Sequence, residues 1–331
     1  MASAAVKKRN LLLCFDAFGT LFSPKSPVAQ QYAQVARQCG ITGFTDDELQ
    51  SHLVAAMKKE RRENPNYGKD TGLGASQWWA NVSNPVDKAH LMHRFASSEG
   101  YNEESGLVPA LRAFRRQNSR QRFEKVVIGV VTNSDDRVPS ILSSFGLRVS
   151  PLRYGTTDES PVPPEEAYDI DFHCMSYDVG VEKPDSRIFE AAELMLGRRV
   201  MAKRSGEAPT PAELGSWLKV YVGDEHAKDV VGAANAGWNA VLLDSEGIYT
   251  EAEAPSLEDC SARRLDELFA EHAVVKVRSL QGLATWMTGI ELGRRHQGVS
   301  AAPSRIEQVK TNVMRPVSLC DNMWSWKGWM V

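Results

Sequence analysis

Leu11 to Leu21 reads LLLCFDAFGTL, and this stretch decides the fold. Five apolar residues, Leu11 to Phe15, run without alternation and end on a carboxylate, Asp16. A continuous apolar run of strand length implies burial on both faces, as in a parallel sheet covered by helices. Four further runs share the pattern: Val126 to Val131, Val220 to Val222, Ala240 to Leu243 and Val274 to Val277. Helical spacing lies between them. Val28, Tyr32, Val35 and Cys39 form one apolar stripe, with Pro27 before it and Gly40 after it. That is ordinary helix punctuation. Ile188, Phe189, Ala192 and Met195 form a second stripe, which predicts a helix from about Asp185 to Leu196 with Gly197 as its stop. Strands alternating with helices give an α/β fold with right-handed crossovers.

The segment between the first run and the second is too long for a simple crossover. Residues 23 to 104 read as helices and loops, not strands, and predict an inserted helical cap. The expected organisation is a doubly wound, Rossmann-like core over residues 1 to 22 and 105 to 290, with the cap between. Loops near Phe22 to Pro24 and near Gly106 are the expected hinges. Glu159 to Glu166 (ESPVPPEE) and the polar stretch Arg198 to Ser216 read as exposed loops. Residues 291 to 331 form an unassigned tail, in which Trp324, Trp326 and Trp329 alternate with small or polar residues. Such a tail suits a docking peptide for a protein partner, or a segment folded back on its own core.

With 39 basic and 42 acidic side chains the net charge is −3, so neither a nucleic-acid nor a membrane-surface footprint is expected. Five widely spaced cysteines without a CxxC pair argue against a disulfide framework and for a reducing, intracellular compartment, cytoplasmic or nuclear. A mitochondrial presequence is also compatible, although its removal would endanger the first strand. No apolar run reaches the roughly 18 residues that span a bilayer.

In open α/β sheets the ligand site lies beyond the carboxyl ends of the strands. Asp16-Ala17-Phe18-Gly19 follows the first run, Thr132-Asn133-Ser134 the second, and Gly223-Asp224-Glu225 with Asp229 the third. Lys183-Pro184 opens the helix before the third. A carboxylate such as Asp16 can attack an electrophile and form a covalent ester. A hydroxyl such as Thr132, with loop amides, can hold substrate oxygens. Lys183 can neutralise charge on nucleophile and substrate. Asp16 and Asp224, with a backbone carbonyl, offer the hard oxygens magnesium prefers. Singly, each cluster is also ordinary turn or cap composition. Their shared order, each at its own strand end, favours chemistry.

The order FDAFGTL, VVTNSDDR, VEKPDSRIF and VGDEHAKDVVGAANAG resembles motifs one to four of the haloacid dehalogenase superfamily over residues 10 to about 245. Residues 64 to 82, NPNYGKDTGLGASQWWANV, resemble the cap of the eukaryotic subgroup called haloacid dehalogenase-like hydrolase domain-containing protein 3. The resemblance implies Asp16 as nucleophile, Thr132 as the motif-two hydroxyl and Lys183 as the motif-three cation. It implies magnesium at Asp16, Asp224 and Asp229, of which Asp224 resembles a metal ligand more closely than Asp229. Phe18, Gly19, Asn133 and His226 are the expected substrate contacts, and a small anionic molecule the expected substrate.

One departure matters. The superfamily's phosphatases carry a second aspartate two residues after the nucleophile, and here that position is Phe18. A phenyl ring transfers no proton, and general acid–base help is typically worth ~10²–10⁴-fold. An activated leaving group, as in an acyl phosphate, would suffer less. An aromatic residue there resembles the metal-independent 2-haloacid dehalogenases, but those have Ser and Asn where this chain has Asp224 and His226. Their cap arginine is matched by the acidic Thr45-Asp46-Asp47-Glu48, with Arg61 and Arg62 further on. A phosphonatase-type cap lysine, Lys58 or Lys59, sits in the charged run KKERRE, which reads as a solvated face. Trp78-Trp79 reads as packing, and Asp135-Asp136-Arg137 as the first turn of a helix with no catalytic role. Three readings follow: a magnesium-dependent hydrolase of phosphate esters or anhydrides, a metal-independent dehalogenase, or a catalytically weak binding or regulatory protein.

Overall fold

The computed structural model describes residues 8–83, 88–116, 122–156, 168–202, 207–250, 253–260, 263 and 265–289. The loop at 159 to 166 and the tail from 291 lie outside the described residues.

Six strands form one parallel sheet: β1 (Leu11–Phe15), β4 (Val126–Thr132), β5 (Phe172–Met175), β6 (Leu218–Gly223), β7 (Asn239–Leu243) and β8 (Val274–Val277). Their order is β5-β4-β1-β6-β7-β8. All five apolar runs lie within strands. β5 was not foreseen, because His173 interrupts its short apolar run FHCM. Alternate residues of one strand feed opposite layers, as the pleat requires. Leu11, Leu13 and Phe15 pack with the helices Val28–Gln38, Leu107–Arg115 and Leu280–Thr288. Leu12 and Cys14 pack with the helix Arg187–Ala202. Both faces are therefore covered, and the continuous apolar runs are explained.

The polar stretch from Arg198 is not all loop. The helix predicted to stop at Gly197 continues to Ala202, and Pro211–Gly215 forms another short helix. Tertiary contacts override the glycine: Arg199 is buried and pairs with Asp171 at 3.1 Å. Its charge is thereby satisfied in the interior.

Residues 23 to 104 are also not purely helical. β2 (Phe22–Pro24) and β3 (Tyr101–Glu103) pair antiparallel where the chain leaves and rejoins the core. Three-residue strands are too short to give a readable alternation. Between them stand the helices Asp46–Glu63, Ala75–Val82 and Lys88–Arg94. The first begins with a capping box, in which Thr45 Oγ1 accepts from Glu48 N and Thr45 N donates to Glu48 Oε2. Leu53, Trp78, Trp79 and Leu91 of this region belong to the same apolar cluster as Phe15 and Phe114. The inserted helices thus share their core with the sheet. Among the described residues no helix is long and apolar enough to cross a membrane.

Candidate active site

β1 pairs with β4 on one side and β6 on the other, and the chain crosses from β5 to β6 past it, so the strand order reverses at β1. A crevice opens at the carboxyl end of β1, where a doubly wound sheet binds ligands. Phe15 pairs with Val130 on one side and Val222 on the other. The next residue, Asp16, therefore emerges between the ends of β4 and β6. Its backbone N–H donates to Val222 O at 2.9 Å, which holds it in register.

Lys183 Nζ lies 2.8 Å from Asp16 Oδ1 and 2.7 Å from Asp229 Oδ1. It also donates to the Tyr221 hydroxyl at 2.7 Å, and that hydroxyl donates to Val131 O at 2.6 Å. An ammonium has three protons, and here each has an oxygen within reach. Burial alone would depress the Lys183 ammonium, but the charges of Asp16 and Asp229 outweigh it and hold it above the ordinary lysine range. Asp229 is pushed up to about 6 by burial, against the pull of Lys183, with Asp16 adding repulsion.

Asn133 locks the lysine backbone. Its amide donates to Lys183 O at 3.0 Å, and its carbonyl accepts from Lys183 N at 2.6 Å. This contact spends the Asn133 side chain on positioning, although the residue also lines the cavity. Asp229 reaches inward from a π-helical turn, His226–Val230. Such turns cluster at functional sites. Its Oδ2 accepts from Glu225 N at 2.9 Å. Two glycines make room for these acids. A Cβ on Gly19, whose φ is +79°, would lie 2.4 Å from Asp224 Oδ2, and one on Gly223 would lie 2.2 Å from Asp229 Oδ2. Thr20 Oγ1 donates to Asp224 Oδ1 at 3.1 Å and orients it.

Asp16, Asp224 and Asp229 bring carboxylate oxygens within 4.8 Å of one another. Asp16 Oδ1 is buried and receives no well-directed hydrogen bond despite its closeness to Lys183. Three clustered carboxylates, two of them paired with one ammonium, offer hard oxygens that fit a divalent cation such as magnesium. Asp16 and Asp224 are the residues that would hold it. Both oxygens of Asp229 already accept hydrogen bonds, so its part is to orient Lys183 and the loop.

A cavity of about 420 Å³ opens over Asp16. Thr132, Asn133 and Lys183 line it, together with Phe18, Gly19 and the segment from Ser23 to Pro27. Phe18 is partly buried, edge-on to Phe22 at 4.7 Å and Tyr101 at 5.8 Å between ring centroids. The position two residues after Asp16 is thus an aromatic wall. His226 is not among the cavity residues. It is exposed and stacks on Tyr249 at 6.1 Å, because the turn that buries Asp229 sends its first residue to the outside. Sequence reading passed over Tyr221, Thr20, Lys25, Glu225 and Lys228. Only Thr20 and Glu225 carried a signal, as polar members of the strand-end clusters.

Asp135 does more than start a helix turn. It is fully buried, paired with Arg137, and accepts a hydrogen bond from Trp79. Trp78 and Trp79 are buried, as packing residues should be.

The model of haloacid dehalogenase-like hydrolases matches residues 11–237. An uncharacterized hydrolase of Schizosaccharomyces pombe is 30% identical over 241 residues, covering 70% of this chain and 90% of that one. Mouse haloacid dehalogenase-like hydrolase domain-containing protein 3 is 26% identical over 247 residues, covering 70% and 81%. Among solved structures, a haloacid dehalogenase-superfamily phosphatase from Thermococcus onnurineus is similar, with a TM-score of 0.48 at 18% identity, covering 85% of this chain and 100% of that one. With its sheet, its strand-end residues and a family match over most of its length, the chain belongs to the haloacid dehalogenase-like hydrolases, and it is similar to the domain-containing protein 3 subgroup.

Proposed function

We propose that the protein is a magnesium-dependent phosphohydrolase that works through an aspartyl intermediate at Asp16. The observation that carries this reading is the Lys183 ammonium set between Asp16 and Asp229, with Asp224 gathered beside them. A carboxylate attacking a phosphate is opposed by charge, and this cluster has the groups to relieve that opposition. Asp16 supplies the attacking oxygen. Lys183 holds Asp16 in place and offsets its charge. Thr132, buried at the end of β4 and lining the cavity, offers its hydroxyl to phosphate oxygens. Bound magnesium would supply positive charge shared by phosphate and nucleophile. The bond from phosphorus to the leaving oxygen breaks as the Asp16 bond forms; water then cleaves the aspartyl phosphate, releasing inorganic phosphate and a proton and restoring the Asp16 carboxylate.

A metal-independent dehalogenase is the weaker reading. The carboxylate of Asp224, oriented by Thr20, has no use there and costs free energy beside two other acids unless a cation is bound. Phe18 favours the third reading, a binding protein of low turnover. The deciding experiment is hydrolysis of p-nitrophenyl phosphate, acetyl phosphate and 2-chloropropionate, with magnesium or chelator, by the protein and by Asp16→Asn. Magnesium-dependent phosphate release lost in Asp16→Asn is the expected result. Chloride release in chelator would make it a dehalogenase, and no turnover at all would leave the binding reading.

A further inference from the structure

Three lysines line the cavity over Asp16: Lys25, Lys183 and Lys228. Lys183 is held by Asp16, Asp229 and Tyr221. Lys228 pairs with Glu225 at 3.3 Å. Among the described residues, Lys25 is the lining lysine with no carboxylate against it. Lys25 is exposed and lines the cavity, so its ammonium is available for a substrate's charge.

The segment that carries it is built to stay put. Pro24-Lys25-Ser26-Pro27 fixes φ at two of four residues. Lys25 N donates to Gly100 O at 3.0 Å, tying the segment to the returning strand β3. Gln31, almost fully buried, sends its amide to Ser26 O and to Gly100 O, both at 3.0 Å. A polar side chain buried to hold two backbone carbonyls makes this linker a wall rather than a flexible tether. The wall brings Lys25 to the same cavity that Phe18 lines, the residue that stands where a carboxyl acid would otherwise be.

We infer that Lys25 stands in for the missing acid by stabilising the leaving group as an anion. The inference rests on the phosphohydrolase reading. When the Asp16 oxygen bonds to phosphorus, the bond from phosphorus to the leaving oxygen breaks, and the electron pair stays on that oxygen. No proton crosses. The Lys25 ammonium stays charged and faces the new anion, while Lys183 remains occupied with Asp16. The substrate class follows: phosphates whose leaving oxygen is acidic, such as acyl phosphates, aryl or enol phosphates, or phosphates with a second anionic group near the leaving oxygen.

Two measurements test this on the full chain with magnesium. The first compares kcat/KM for the protein, Lys25→Ala and Lys25→Arg over aryl phosphates of graded leaving-group acidity. Lys25→Ala should lose about tenfold or more on the least acidic phenols and little on the most acidic, with Lys25→Arg restoring much of the loss. A uniform loss, or none, overturns the role. The second needs no turnover: binding of phosphonoacetate and methylphosphonate to Asp16→Asn with and without Lys25→Ala. The alanine should weaken phosphonoacetate about tenfold and leave methylphosphonate unchanged. Equal effects on both overturn the inference. An inactive parent protein that still shows the phosphonoacetate preference would sink the hydrolase reading and leave Lys25 as an anion site.

Discussion

The indole Nε1 of Trp79 donates a 2.6 Å hydrogen bond to Oδ2 of Asp135, joining an inserted helix to the loop that follows Thr132. Arg137 grips the same carboxylate through Nε and a terminal nitrogen, each at 2.8 Å, and lies 4.3 Å over the Trp79 ring. Burial would raise the Asp135 carboxyl, yet Arg137 and Trp79 outweigh it and hold it below the usual carboxylate range. Asn66 adds a second tie, to Tyr177 O at 3.2 Å, and Lys69 a third, to Asp178 O. Any opening of the inserted helices must break these contacts or pivot about them.

Trp79→Phe removes the donor and keeps most of the ring. A buried carboxylate that loses one partner pays part of its desolvation, so the expected cost is about 1–3 kcal/mol in urea unfolding. Limited proteolysis should then cut the chain between residues 46 and 94 faster than elsewhere. Unchanged stability and an unchanged cleavage pattern would mean the hydrogen bond does not hold the inserted helices down.

Phe18→Asp tests the aromatic wall from the opposite direction. The change removes edge-on contacts with Phe22 and Tyr101, worth about 0.5–1.5 kcal/mol each beyond area burial. It also restores a carboxyl acid. Phosphatase activity on alkyl phosphates, whose leaving oxygens need a proton, should rise by about 10²-fold, while acetyl phosphate changes little. A fall on both substrates with the fold intact would show that the ring itself is needed for turnover.

What could be read from sequence followed from burial. β1, β4, β6, β7 and β8 announced themselves because most of their residues are apolar and buried, Lys219, Asn239 and Lys276 being the exceptions within the last three. β5 did not, since a buried histidine breaks its run. Asp16, Thr132, Lys183 and Asp224 were legible as polar residues at strand ends. Tyr221 was not, because in sequence it is one more residue of an apolar strand. Only the fold brings its hydroxyl to Lys183, 38 positions away. Lys25 is hidden for a similar reason: only the fold brings the Gln31 amide to Ser26 O and Gly100 O beside it.

Magnesium should also be visible without turnover. A ligand that binds only the folded chain stabilises it by about 2.7 kcal/mol at a hundredfold excess over its dissociation constant. The melting temperature should therefore rise with magnesium chloride and stay level in a sodium chloride control. Asp224→Asn should remove most of the rise, because it neutralises one of the two acids that would hold the cation. An equal rise in the variant would place the ion elsewhere.

His173 gives a prediction about acid. It is buried on β5, and its Nδ1 has no hydrogen-bond partner. Burial first, and the positive Arg153 second, lower its pKa to about 3. In the unfolded chain it titrates near the ordinary histidine value of about 6.5. Between those values the unfolded state binds a proton that the folded state refuses, so stability rises with pH across the window. His173 therefore adds no penalty above about pH 6.5. Its penalty grows as pH falls toward 3, by up to about 1.4 kcal/mol per pH unit. His173→Gln removes the titration and keeps a polar side chain. Urea unfolding at several pH values from 4.5 to 7.5 should give a shallower acid-side slope for the variant than for the parent. Parallel slopes would mean that His173 is protonated in the folded state, and that Arg153 and burial do not exclude its charge.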